Sequence, residues 1–198
     1  MTSREAILRD IQTGLGRPKP SEVIPPQVRL RIPEVSTAKR IARMLDRVTA
    51  LAGHAVHARC AQEAAAYVEG ITQGEPAVMS QSPFLKETGI KATAGEVTTA
   101  KFGITSADYA LTDTGTLVMI ASPADARLIS LLPPVHIAVM PVDRLLSGLD
   151  ELYTLIPKPA YQTSSVVFIT GPSRTADIEQ RLVRGVHGPG EIHLVLVG

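Results

Sequence analysis

Residues 166–198 constrain the fold more than any other stretch. Two apolar runs, Val166–Ile169 and residues 192–197, stand on either side of a polar turn and a segment with helical character. The order reads strand, turn, helix, strand. Upstream, the apolar run at residues 135–140 ends at Pro141. A helical face of Val142, Leu145, Leu146, Leu149, Leu152 and Tyr153 then leads back to Val166. This makes a second strand–helix–strand unit over residues 135–169. The strands are apolar at nearly every position rather than at alternate ones, which requires burial on both faces. A strand buried twice lies between two layers, and such crossovers are right-handed. The fold class expected is α/β, a three-layer α/β/α arrangement with a mostly parallel sheet.

Earlier segments supply more of the same. Ala77, Val78 and Met79 form a short apolar strand, and residues 117–120 form another with β-branched content. Between them, residues 91–101 are small and polar, as in a loop or an edge strand. Thr105 or Ser106 is placed to start a single helical turn. Ile41, Leu45, Val48 and Leu51 recur at helical spacing behind a Ser36 or Thr37 cap. Residues 61–71 are Ala-rich and helical, and residues 84–90 read as a short helix or turn closed by Gly89. At the N-terminus Ile7, Leu8, Ile11 and Leu15 mark one face of a helix capped by Ser3. Pro18, Pro20, Pro25, Pro26 and Pro33 follow, a density that sustains neither helix nor central strand. Residues 1–35 are therefore expected to be a helix with a proline-rich arm, and residues 36–198 the α/β domain. The helix needs an apolar partner, either the main body or another subunit.

Composition narrows the function classes. A net charge of +1, 4% aromatic residues and no Trp argue against a nucleic-acid surface. The single Cys60 cannot form an internal disulfide, nor can it alone ligate a zinc or iron–sulfur centre. No apolar run reaches membrane-spanning length, and the first residues lack the apolar core of a signal peptide. A cytoplasmic protein without a membrane segment is expected. His54 and His57 flank Ala55 and Val56, but no third ligand stands nearby in sequence, so no metal site is expected.

In an open parallel sheet, ligands bind beyond the carboxyl ends of the strands. The polar segment there that offers most is Thr170 to Thr175. Gly171 permits close approach, Ser173 and Thr175 carry hydroxyls, and Arg174 can grip a carboxylate or phosphate. Against this, Asp177 and Glu179 fall in the first turn of the expected helix, where they complement its dipole and repel an anion. Thr175 or Ser173 can equally serve as its cap. The segment matches neither Gly-x-x-x-x-Gly-Lys-Ser/Thr nor Gly-x-Gly-x-x-Gly. Asp113, Thr114, Gly115 and Thr116 read as a turn feeding the strand at 117, with a positive φ at Gly115. Asp113 can act as a base or contact a ligand hydroxyl, or simply stabilise the turn. Histidine is the side chain suited to proton transfer at neutral pH, so His187 can serve as acid, base or turn hydrogen bond. Arg127 can clamp a carboxylate or pair with Asp125.

The segments beginning at Gly103 (through Asp113-Thr114-Gly115-Thr116) and at Gly171 (Gly-Pro-Ser-Arg-Thr-Ala-Asp-Ile-Glu) resemble the lactate utilization protein C family, the LUD domain. So do Gly185-Val-His-Gly-Pro, residues 127–137, Arg4-Glu-Ala-Ile-Leu and Leu15-Gly-Arg-Pro. The resemblance implies the α/β/α fold shared with CoA transferases and ribose-5-phosphate isomerase. It implies a bacterial, cytoplasmic component of L-lactate oxidation to pyruvate, working beside iron–sulfur partner proteins. It carries over no catalytic residue and no cofactor. The expected ligand is a small organic acid or a phosphorylated molecule, held by Asp113, Thr114, Gly115, Thr116, Gly171, Ser173, Arg174, Thr175, Asp177 and His187. The alternatives are a non-catalytic assembly subunit, with homo-oligomerisation open, and an independent transferase or ligase on the same fold.

Overall fold

A computed structural model of the chain describes residues 3–16, 32, 34–122, 127–157, 163–175 and 183–198. Residues 17–31 of the proline-rich arm lie outside this set. The chain divides into two compact units, Met1–Leu30 and Arg31–Gly198. In the first, α1 (Ser3–Gly14) carries Ile7, Leu8 and Ile11, with Leu15 just beyond it.

The second unit is built on a six-stranded sheet in the order β1-β12-β7-β4-β2-β3, with all neighbours parallel. Its strands are β1 (His54–Ala58), β2 (Pro76–Met79), β3 (Thr93–Ala94), β4 (Phe102–Thr105), β7 (Val135–Pro141) and β12 (Glu191–Val197). Along β7, Ile137 and Val139 point into one core and Ala138 and Met140 into the other. That alternation, with apolar residues on both sides, is why the run is continuously apolar. The first core is closed by α3 (Ala61–Thr72) and α4 (Pro83–Thr88), through Ala64, Val68 and Leu85. The second is closed by α2 (Thr37–Ala50), through Met44 and Val48. The fold is thus α/β, with a parallel sheet between helical layers.

A second sheet shares the layer of α2. Its order is β8-β5-β6-β9, from β5 (Tyr109–Leu111), β6 (Thr116–Ile120), β8 (Leu145–Leu146) and β9 (Val166–Ile169). Leu117 and Met119 face the large sheet, while Val118 packs under α5 (Leu149–Leu155) with Leu111, Leu146 and Leu152. Here the structure differs from expectation. Residues 117–120 and 166–169 are not in the parallel sheet. They pair antiparallel with each other, Leu117 opposite Ile169. Burial on both faces produced the same apolar signal, because β6 also lies between two packed layers. Residues 105–106 start no helical turn, since Thr105 closes β4.

The expected helix after Thr170 does not reach Arg184: β10 (Arg174–Thr175) pairs antiparallel with β11 (Val183–Arg184). Residues 176–182 lie outside the described set. Among the described residues, no helix is long and apolar enough to cross a membrane.

Candidate functional site

The Asp113–Thr116 segment is the tight connection between β5 and β6, and Gly115 sits at φ 72°. A side chain there would be strained by that φ. Its Cβ would also fall 2.8 Å from Arg47 Cβ, so the turn is pressed against the last part of α2. Gly171, at φ 78°, repeats the arrangement, and a Cβ on it would lie 3.0 Å from Leu51 Cβ. Two glycine turns far apart in sequence thus close on the same helix end. Hydroxyls join them: Thr116 Oγ1 lies 2.8 Å from Thr170 Oγ1 and 2.8 Å from Thr114 Oγ1. The Thr114 hydroxyl also donates to Asp113 Oδ1 at 3.2 Å.

Asp113 projects from this junction towards the start of α5. It lies so close to Gly148 that a Cβ there would be 2.6 Å from Asp113 Oδ2. Two clefts meet at the Asp113 side chain. One, of about 310 Å³, is lined by Ile32, Arg43, Asp113, Ser147, Gly148 and Asp150, with Leu149 and Glu151 completing it. The other, of about 280 Å³, is lined by Asp113, Thr114, Thr116, Tyr153, Phe168 and Thr170 among others.

The floor of the first cleft is fixed by an ion pair. Arg40 donates from both Nη atoms to Glu151 Oε1 at 3.1 Å and also to the Leu145 carbonyl. Glu151 Oε2 accepts the Ser147 N–H at 2.7 Å. Burial is the largest single influence on Glu151 and pulls its pKa upward. The Ser147 N–H and the Arg40 guanidinium outweigh it and hold the carboxyl below its ordinary value. Glu151 is therefore a charged structural anchor, whereas Asp113 and Arg43 face open space.

The other nominated residues divide. Arg174 donates through Nη2 to the Leu51 carbonyl at the end of α2, the usual partner of a basic side chain at a helix C-terminus. Its backbone and that of Thr175 are occupied in the β10–β11 ribbon. Ser173 donates its N–H to the Pro189 carbonyl and accepts from Gly185. His187 lines a separate hollow with Leu128, Leu131, Leu132, Pro134 and Arg184. Asp113 and His187 therefore share no cleft. Asp125, Asp177 and Glu179 lie outside the described residues. Arg43, Gly148, Tyr153 and Phe168 belong to the site but were not nominated from sequence. For Arg43 a signal existed: Arg40, Arg43 and Arg47 recur at i, i+3 and i+7, one face of α2.

This architecture, a parallel α/β sheet with two glycine turns stitched at one helix end, defines a class of α/β domain that matches known proteins. The family model of the LUD domain matches residues 91–197, more than half of the sequence. The chain belongs to the LUD domain family. It is 44% identical over 102 residues to lactate utilization protein C of an Exiguobacterium species, covering 50% of this chain and 44% of that protein. It is 43% identical over 94 residues to lactate utilization protein C of Halalkalibacterium halodurans, covering 46% and 41%. With the Bacillus subtilis protein of the same name the figures are 39% over 102 residues, 50% and 42%. The matched stretch thus spans less than half the length of these curated relatives. A crystal structure of a DUF162 family protein from Deinococcus radiodurans superposes with a TM-score of 0.67, over 83% of this chain and 100% of that one. At 17% identity that likeness concerns the fold.

Proposed function

We propose that this chain acts in the cytoplasm in lactate utilization, in the oxidation of L-lactate to pyruvate, and binds a small organic acid or phosphorylated ligand at the Asp113 junction. The family relatives named for lactate utilization support the first part. The second is carried by one observation: Asp113 stands where an Arg43-lined cleft meets a ladder of threonine hydroxyls. In this reading the Arg43 guanidinium takes the anionic end of the ligand, and Asp113 accepts a hydrogen bond from its hydroxyl. Asp150 borders the same cleft, so the anion must lie on the Arg43 side. Calorimetry with L-lactate, pyruvate, CoA and nucleotides is expected to give a ligand whose affinity falls roughly 10–100-fold in Arg43→Ala, the worth of one charge-assisted hydrogen bond. Asp113→Ala is expected to fail in a lactate-growth assay. Binding of none of these ligands, together with unimpaired growth of both variants, would sink the reading.

A second reading has its own support. Leu149, Tyr153 and Leu155 on α5 and Phe168 on β9 are all between 43% and 50% exposed, an apolar surface beside the second cleft. This favours a subunit that docks the iron–sulfur partners implied by the family, or a second copy of itself. Leu155→Glu is expected to abolish co-purification with cluster-bearing partners while leaving ligand affinity unchanged. Co-purification that survives the charge would remove this surface from consideration.

A further inference from the structure

The first and last strands of the second unit bring three ligating side chains together. β1 and β12 run side by side in parallel register, with His54 opposite His193. The two rings stack, with centroids 4.6 Å apart and planes inclined by 18°. Glu191 stands two residues before His193 on β12, so its side chain returns to the same face of the sheet. Its Oε1 is 2.7 Å from His193 Nε2 and 3.6 Å from His54 Nε2. One ligand atom from each residue can be chosen so that all lie within 4.8 Å of one another. The group lies at the amino ends of β1 and β12. It shares no lining residue with the two clefts at Asp113.

From this arrangement we infer that His54, Glu191 and His193 form a binding site for a divalent transition-metal ion of the zinc class, with one coordination position open to solvent. Two imidazoles and one carboxylate are the donor set of open zinc sites. Tetrahedral bonds of about 2.0–2.1 Å place ligand atoms about 3.3 Å apart. The present spacings bracket that value, and His54 and Glu191 are 57% and 47% exposed, so both side chains can rotate to close it.

A second layer is already in place. Tyr67 Oη on α3 lies 3.1 Å from His193 Nδ1. When Nδ1–H donates to that phenol, the Nε2 lone pair is fixed towards the ion, the usual support of a metal-bound histidine. The alternative is a metal-free cluster in which Tyr67 donates to Nδ1 and Nε2–H donates to Glu191.

The two are separated by titrating the full chain, after chelator treatment, with Zn²⁺ alone. One equivalent is expected to bind, with affinity falling roughly tenfold or more in His54→Ala and Glu191→Gln. A fall of roughly 10–100-fold is expected in Tyr67→Phe, where every ligand remains. His57→Ala is the control, because that ring instead contacts the Gly198 carbonyl. Co²⁺ should give the intense visible absorption of a low-coordinate ion in the native chain and lose it in His54→Ala. Failure of the native chain to bind Zn²⁺ overturns the site. So does affinity unchanged in His54→Ala and Glu191→Gln, or abolished in His57→Ala.

Discussion

Gly103→Ala is expected to destabilise the protein by at least about 3 kcal/mol, the upper end of what overpacking costs. Gly103 lies within β4, with Val78 of β2 on one side and His136 of β7 on the other. The 3-10 turn Arg127–Ser130 crosses directly over it. A Cβ at Gly103 would stand 1.9 Å from the Ile129 carbonyl oxygen and 3.0 Å from Pro133 Cγ. The obstacle at 1.9 Å is backbone, so no rotamer change relieves it. The turn must lift, exposing Ile129 and Ser130, which are 7% and 2% exposed. At roughly 2–4 °C per kcal/mol for a chain of this size, the melting temperature should fall by roughly 6–12 °C. Gly70→Ala is the control, since Gly70 lies in α3 with nothing within 4 Å of an added Cβ. That change should stabilise by about 0.5–1 kcal/mol. Equal melting temperatures for the two variants would show that the turn does not rest on the strand as described.

The same crowding shows what could be read before the structure. β7 and β12 were legible because burial on both faces writes an uninterrupted apolar run. The same rule misplaced residues 166–169, which form β9, antiparallel to β6 in the second sheet, with Phe168 43% exposed. β4 is only Phe-Gly-Ile-Thr, too short and too polar at its end to stand out, although it is central. The turn at Gly115 was legible because Asp-Thr-Gly-Thr needs a positive φ, and the structure has it. Arg174 looked like an anion grip from its neighbours in sequence. Its partner, the Leu51 carbonyl, is 123 residues away in the chain. The neighbours of His54 were hidden in sequence for the same reason, because Glu191 and His193 arrive beside it only through the β1–β12 register. Local chemistry was readable, whereas partners that depend on strand order were not.

The second large effect should appear with pH at His136. This ring is fully buried on the face of β7 that also carries Ala138 and Met140. Thr105 Oγ1 lies 2.8 Å from its Nε2, while Nδ1 has no hydrogen-bond partner among the described residues. Burial lowers its pKa from 6.5 to about 4. Because the folded pKa is depressed, the unfolded chain takes up the proton first. The contribution is complete above the unfolded value of about 6.5 and is lost as pH falls towards about 4, below which both states are protonated. Over that window the loss is on the order of 3 kcal/mol at about 1.4 kcal/mol per unit. The His193 pKa, also lowered by burial, acts in the same direction. Glu151, whose carboxyl is held below its ordinary value, loses its contribution only at lower pH, as pH falls through its folded pKa. His136→Gln is similar in volume, can still reach Thr105 and cannot titrate. Denaturant unfolding between pH 4.5 and 7 should therefore show a steep decline for the native chain and a much shallower one for the variant. Parallel declines would place the acid sensitivity elsewhere. A shallow native profile would mean that solvent reaches His136 and lets it charge in place.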